Sequence, residues 1–223
     1  MTETPSFSPK TRVVIVDDHP MLRERIAQLI NKEPDMTVCG ESDNIQAALE
    51  CIADTQPDIA VVDITLKGSS GLELIKNLKA LGLNTPVLVL SMHDESLYAD
   101  RALRSGARGY ITKHQGSEAV MAAIRCVLGG KVYLSEDHTA KILNRLTEQG
   151  PQAAAPSMDL LTDRELEVFQ MIGQGHTSRE IAETLHLGTK TVDTYRERIK
   201  QKLDLKNAAV LYHRATEWVR NQG

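Results

Sequence analysis

The 223-residue sequence lacks the features that define several broad classes of protein. No run approaches the ~18 continuous apolar residues that a membrane-spanning helix needs. The N-terminus, MTETPSFSPK, has no basic segment followed by an apolar run, so we expect no secretory signal. The three cysteines, Cys39, Cys51 and Cys126, form no C-x-x-C pair, and the seven histidines have no zinc-ligand spacing. These absences predict reduced thiols, no structural zinc site and a cytoplasmic protein without membrane contact.

The composition is that of an ordinary folded protein. Hydrophobic residues make up 41% of the chain and charged residues 25%, which excludes a wholly disordered polypeptide. The net charge of -4 neither favours nor excludes nucleic acid, because a local basic patch can lie within an acidic total. The length suits one large domain or two smaller ones.

Residues 11–130 alternate β-rich runs with segments of helical periodicity. The runs are RVVIVD, MTVCGE, DIAVVD, PVLVLS and GYIT, and amphipathic segments separate them. Strands that alternate with amphipathic helices are typical of βα units on a parallel sheet. We therefore predict an α/β, doubly wound domain with a five-stranded parallel sheet, preceded by a flexible tail over residues 1–10.

A linker and a second domain are predicted beyond residue 130. Residues 131–157 read as a linker, with a helix from Glu136 to Glu148 and then the Pro- and Ala-rich stretch GPQAAAPS. Residues 158–223 contain no β-rich run, which predicts a small all-α domain. Within it, a short helix, a glycine-containing turn and a longer helix from about Thr189 to Leu203 indicate a helix-turn-helix.

Charged and hydroxyl-bearing residues stand at the ends of four predicted strands. Asp17 and Asp18 end the first strand, Asp63 the third and Ser91 the fourth, while Lys113 follows the fifth. The carboxyl ends of parallel strands share one edge of the sheet, where ligands bind. Three clustered carboxylates repel one another unless a cation is present, and Mg²⁺ prefers oxygen ligands. Taken singly, an aspartate at such a position is most simply a turn residue, Ser91 a buried hydroxyl and Lys113 a solvated amine. Because all of them fall at one edge of the sheet, a functional site is favoured.

This arrangement resembles the receiver domain of two-component response regulators over residues 12–130. The resemblance implies a flavodoxin-like fold in which Asp63 accepts a phosphoryl group from a sensor histidine kinase. It also implies that Mg²⁺ is bound by Asp17, Asp18, Asp63 and the backbone carbonyl of Thr65. The glycine expected eight residues after the acceptor is Gly71.

The same resemblance assigns the residues around the acceptor. Ser91 and Lys113 would bind phosphoryl oxygens, and Tyr110 would reorient on activation. Thr65 and His93 would tune the rate of dephosphorylation. The family usually has a proline four residues after the acceptor, where this chain has Lys67, and lysine gives this loop more mobility and positive charge than proline.

The C-terminal residues resemble the LuxR-type output domain. The opening LTDRELEV, the segment REIA and the start KTV of the third helix carry the similarity, and with the receiver they indicate the NarL/FixJ class. On the third helix, Val192, Tyr195, Ile199 and Leu203 are expected to face the core. The residues expected to read bases are Lys190, Asp193, Thr194 and Glu197. Those expected to contact phosphates are Thr177, Ser178, Arg196, Arg198 and Lys200.

The sequence thus predicts a transcription regulator that binds double-stranded DNA and forms a homodimer when phosphorylated. We expect no enzymatic activity beyond self-phosphorylation and autodephosphorylation at Asp63. Two alternatives remain open at this stage. One is a Mg²⁺-dependent phosphatase of the haloacid dehalogenase type, although such enzymes carry both carboxylates in one D-x-D motif. The other is an interaction scaffold whose helical domain no longer binds DNA.

Overall fold

The computed structural model describes residues 9–147 and 158–220, and the chain divides near Ala140 into two compact units. The N-terminal unit is built on a five-stranded parallel sheet. Its strands are Thr11–Val16 (β1), Met36–Ser42 (β2), Ile59–Val62 (β3), Val87–Ser91 (β4) and Gly109–Thr112 (β5). They lie in the order β2-β1-β3-β4-β5. The order reverses between β1 and β3, so a ligand-binding crevice is expected beyond their carboxyl ends.

Five helices connect and cover these strands. They are Pro20–Lys32 (α1), Ile45–Thr55 (α2), Gly71–Ala80 (α3), Glu95–Ser105 (α4) and Ser117–Leu128 (α5). Strands β1, β3 and β4 are buried almost throughout because helices lie on both faces of the sheet. Val13, Ile15 and Val61 share one core with α1 and α5, and alternate residues point to the other face. The predicted doubly wound domain is confirmed.

The loop after β3 differs from a plain turn. Thr65–Leu66 and Ser69–Ser70 form a short two-stranded ladder that the sequence analysis did not predict. The chain then passes close to the end of β3 at Gly71. A β-carbon on Gly71 would lie 1.9 Å from the carbonyl oxygen of Asp63, so only glycine fits there. The glycine of the family pattern therefore has a steric role next to Asp63.

After α5 the chain returns to the sheet. The Tyr110 N–H donates to the Tyr133 carbonyl at 2.9 Å, and the Tyr133 N–H donates to the Arg108 carbonyl at 3.0 Å. This short strap leads into Glu136–Thr147 (α6). The predicted linker helix is therefore present up to the end of this described range. The GPQAAAPS stretch and most of the predicted N-terminal tail lie outside the described residues.

The C-terminal unit is all-helical, as predicted. A 3₁₀ turn at Met158–Leu160 is followed by Asp163–Gly173 (α7), Ser178–Thr184 (α8), Thr189–Lys202 (α9) and Ala208–Arg220 (α10). Helices α7 and α8 each begin with a complete capping box, Thr162 with Glu165 and Thr177 with Glu180. Phe169 packs edge-on against Trp218 of α10 at 5.5 Å. Over the described ranges, no helix has the length and apolar character that crossing a bilayer requires.

The close approach at Gly71 generates a stability prediction. Gly71→Ala should lower the free energy of unfolding of the N-terminal unit by about 2 kcal/mol or more, because the new β-carbon forces the backbone at Asp63 to move. Gly116→Ala is the matched control, since a β-carbon there meets nothing within 4 Å. Urea unfolding followed by far-ultraviolet circular dichroism measures both; equal stabilities of the two variants would contradict the steric argument.

Candidate functional site

The sheet topology brings the predicted acidic residues together. Asp17 and Asp18 follow β1 and Asp63 follows β3, and these strands are neighbours. All three aspartates are buried. Asp17, Asp18, His19 and Asp63 each offer a ligand atom within 4.8 Å of the others. Sequence analysis missed His19, whose Nδ1 lies 2.7 Å from Asp18 Oδ1; its position next to the acidic pair was the signal.

Lys113 holds the centre of this pocket. Its side chain is 2% exposed, and Nζ lies 2.7 Å from Asp17 Oδ2 and 2.6 Å from Asp63 Oδ2. The Lys113 N–H also donates to the Ser91 carbonyl at 2.8 Å, which fixes the end of β5 against the end of β4. One ammonium group therefore contacts two of the three buried carboxylates, and the pocket retains unbalanced negative charge.

The donor set fits a hard divalent cation. Asp63 Oδ1 is buried and has no hydrogen-bond partner among the described residues. Leaving a buried carboxylate oxygen unpaired is costly, and a bound cation would offset that cost. Burial raises the pKa of Asp63 to about 6, opposed by the positive charge of Lys113 and reinforced by Asp17. Clustered carboxylate oxygens are the ligands that Mg²⁺ prefers.

The predicted switch residues line the same edge of the sheet. Ser91 and Tyr110 are fully buried. The Tyr110 hydroxyl donates to the His93 carbonyl at 2.9 Å, and the His93 N–H donates to Ser91 Oγ at 3.3 Å. Burial raises the pKa of Tyr110 further above its ordinary value, so the hydroxyl stays a neutral donor. Thr65 Oγ1 and His93 Nε2 lie 2.9 Å apart, so the two residues expected to tune dephosphorylation contact each other.

The third helix of the C-terminal unit has two distinct faces. Val192, Ile199 and Leu203 are buried and Tyr195 is half-buried, which agrees with the predicted core face. The residues predicted to read bases are all exposed: Lys190, Asp193, Thr194 and Glu197. The structure thus presents the predicted reading surface to solvent, as contact with a DNA groove requires.

Three residues predicted to contact DNA also contact one another. Ser178 Oγ, at the start of α8, donates to Asp193 Oδ1 at 3.1 Å and accepts from Arg196 Nη1 at 3.1 Å. This network joins α8 to α9 and holds the Arg196 guanidinium beside the N-terminus of α8. A phosphate that approaches this helix terminus would meet the Arg196 guanidinium.

Some basic residues of α9 form ion pairs, and others are exposed to solvent. Lys200 lies 2.8 Å from Glu197, and Lys202 lies 2.6 Å from Glu165 of α7. The Lys202 pair anchors α9 to α7, a role that the sequence analysis did not find because the partner lies 37 residues away. Lys190 and Arg198 are exposed and form no ion pair of this kind with another described residue, so within that part of the chain no such pair has to break when they reach a nucleic acid.

Comparisons with known proteins agree with both halves of this description. The family model of the response regulator receiver domain matches residues 13–125, and the model of the bacterial regulatory proteins of the luxR family matches residues 159–215. The chain therefore belongs to the response regulators of two-component systems, in the class with a LuxR-type DNA-binding domain. It is a transcription regulator of such a system.

Individual relatives have the same organisation. The positive transcription regulator of virulence factors BvgA of Bordetella pertussis is 37% identical over 86% of this chain and 90% of its own. The oxygen regulatory protein NreC of Staphylococcus carnosus is 32% identical over 88% and 92%. The receiver domain of the response regulator NarL from Mycobacterium tuberculosis superposes with a TM-score of 0.53 at 33% identity, covering 56% of this chain and all of that domain.

The raised pKa of Asp63 generates a prediction about pH and stability. Burial favours the protonated form in the folded state, so the contribution of Asp63 to stability is greatest below about pH 4 and is lost as the pH rises through about 6. In the absence of divalent cations, Asp63→Asn should therefore be more stable than the wild type at pH 7, by about 1–3 kcal/mol.

Chemical unfolding in chelator at several pH values measures this effect. The exposed Asp54→Asn on α2 is the control and should stay within about 0.5 kcal/mol of the wild type at each pH. Parallel pH profiles for the wild type and Asp63→Asn would show that the Asp63 carboxylate is not disfavoured in the fold.

Proposed function

We propose that phosphorylation of Asp63 controls DNA binding by this protein in the cytoplasm, with a sensor histidine kinase as phosphoryl donor. The observation that carries the proposal is the environment of Asp63, which is buried. One of its carboxylate oxygens accepts a hydrogen bond from Lys113, and the other has no hydrogen-bond partner among the described residues. A carboxylate oxygen with no proton and no donor is available as a nucleophile.

The reaction transfers a phosphoryl group from the kinase histidine to one oxygen of Asp63. The bond from phosphorus to the histidine nitrogen breaks as the bond to the carboxylate oxygen forms, which gives an acyl phosphate. At neutral pH Asp63 is mainly ionised, because its pKa of about 6 lies below that pH. Lys113, 2.6 Å from Asp63 Oδ2, is placed to stabilise charge on the phosphoryl oxygens.

Mg²⁺ is the cofactor that this pocket fits. Asp17, Asp18, Asp63 and the backbone carbonyl of Thr65 would hold it, and it would neutralise charge on the transferred group. Asp17 and Asp18 would orient the ion. His19, which is exposed, lies against Asp18 at the same place.

Ser91 and Tyr110 would carry the signal away from the pocket. We expect Ser91 Oγ to turn towards the phosphoryl oxygens, which removes the acceptor of the His93 N–H. Tyr110 would then follow into the vacated space and change the surface around β4 and α4. Thr65 and His93, which contact each other, would set how readily water reaches the acyl phosphate.

The C-terminal unit would supply promoter recognition. Pairing of phosphorylated chains into a homodimer would place two recognition helices on adjacent half-sites and raise affinity through effective concentration. Lys190, Asp193, Thr194 and Glu197 would read bases. Thr177, Ser178, Arg196, Arg198 and Lys200 would contact phosphates.

The open alternatives are less well supported. The pocket carboxylates come from β1 and β3, and a dehalogenase-type phosphatase would take both from one strand. We therefore propose no turnover of small phosphate esters. The scaffold alternative requires a helical domain without a DNA surface, whereas α9 exposes Lys190 and Arg198 on an intact helix-turn-helix.

Labelling tests the acceptor. Radioactive acetyl phosphate with Mg²⁺ should label the wild type, and Asp63→Asn should abolish labelling because an amide cannot form the acyl phosphate. Asp18→Ala should raise the Mg²⁺ concentration needed for half-maximal labelling, since it removes a proposed ligand. Exposed Asp54→Asn is the control and should label like the wild type. Equal labelling of wild type and Asp63→Asn would refute the assignment.

Substitutions on α9 test the division between reading and anchoring residues. Lys190→Ala or Thr194→Ala should cost about 1–3 kcal/mol at the specific site and leave non-specific binding nearly unchanged. Arg198→Ala should weaken binding to every sequence alike and reduce the salt slope by about one. Titrations of specific and random duplexes at several salt concentrations separate the two classes; a common profile for Lys190→Ala and Arg198→Ala would contradict the division.

A further inference from the structure

The linker helix α6 begins with a cap that its own sequence does not complete. Ser135 precedes the helix, and its Oγ accepts from the His138 N–H at 3.1 Å. In a capping box the residue at this third helical position is an acid that accepts the N–H of the capping residue. Here that position is His138, which cannot close the box in this way. Helices α7 and α8 of the same chain both carry complete boxes.

Helix α4 supplies the missing group. Glu95 Oε1, in the first turn of α4, accepts from the Ser135 N–H at 2.8 Å across 40 residues of sequence. His138 is 3% exposed, and its Nε2 lies 3.1 Å from Asp100 Oδ1 on the same helix. Two contacts, one from the first turn of α4 and one from its middle, therefore hold the start of α6 on α4.

This contact lies next to the residues that sense the phosphorylation pocket. Tyr110 bonds through its hydroxyl to His93, two residues before Glu95, and through its N–H to Tyr133, two residues before Ser135. Tyr110 thus joins both segments that meet at the cap, one through its side chain and the other through its backbone. Gly109 permits this approach, because a β-carbon there would lie 3.0 Å from the Tyr133 β-carbon and 3.1 Å from its carbonyl oxygen.

We propose that α4 caps the linker helix through Glu95 and Asp100, and that phosphorylation of Asp63 loosens this cap. Movement of Tyr110 breaks its bond to the His93 carbonyl and frees the start of α4, so Glu95 withdraws from Ser135. The first turn of α6 then loses the acceptor for the Ser135 N–H and opens more often. The loosening of the cap rests on the proposed phosphorylation switch, and it adds a route by which that switch would act on the linker helix.

Amide hydrogen exchange on the full-length chain tests the cap, with Asp63 labelling measured on the same samples. In the wild type, acetyl phosphate with Mg²⁺ should speed exchange at the amides of residues 135–139 by about three- to tenfold, the factor that one hydrogen bond contributes. Glu95→Ala and Asp100→Ala should show the faster exchange without phosphorylation and respond little to it, while still being labelled. Asp100→Asn, which keeps a polar partner for His138, should resemble the wild type.

Two exposed residues provide matched controls. Glu118→Ala removes an acid from the first turn of α5, and Asp137→Asn changes the residue beside His138. Both should respond to phosphorylation as the wild type does. A labelled wild type with unchanged exchange at residues 135–139, or a Glu95→Ala response equal to that of Glu118→Ala, would overturn the cap. Absence of labelling in the wild type would instead refute the phosphorylation switch itself.

Discussion

The clustering of three buried carboxylates around one lysine is the constraint on which the rest of the receiver depends. Asp17, Asp18 and Asp63 repel one another in a site where water cannot screen them, and Lys113 offsets only part of that repulsion. The fold tolerates the cost because β1, β3 and β5 are fixed by the sheet. The same cost favours a bound cation, whose charge would offset that of the carboxylates.

A short series of hydrogen bonds runs outward from this pocket. Ser91, His93 and Tyr110 link the acceptor to the start of α4, and the Tyr133 strap links β5 to the start of α6. These elements surround one buried tyrosine, so in the proposed switch a small displacement at the pocket would reach both of them. In the C-terminal unit, the Ser178 network and the Lys202–Glu165 pair fix α9 in the same manner, by joining it to neighbouring helices.

The sequence predicted most of the residues of the pocket and few of the hydrogen bonds and ion pairs that join the elements around it. Asp17, Asp63 and Ser91 were identifiable because parallel strands bring their carboxyl ends to one edge, so position along the chain determines position in space. The bond between Ser135 and Glu95 follows no local periodicity and depends on where α6 packs. The ladder at Thr65–Leu66 is too short to show alternation, and the partner of Lys202 lies on another helix.

The central claim is that the acyl phosphate at Asp63 controls DNA binding. The most direct measurement is the affinity of the full-length chain for its promoter as a function of the fraction of Asp63 that is phosphorylated. The account predicts that affinity rises with this fraction in the wild type, and that Asp63→Asn stays at the unphosphorylated value whatever donor is added. An affinity that does not change while phosphorylation of Asp63 goes from absent to complete would contradict it.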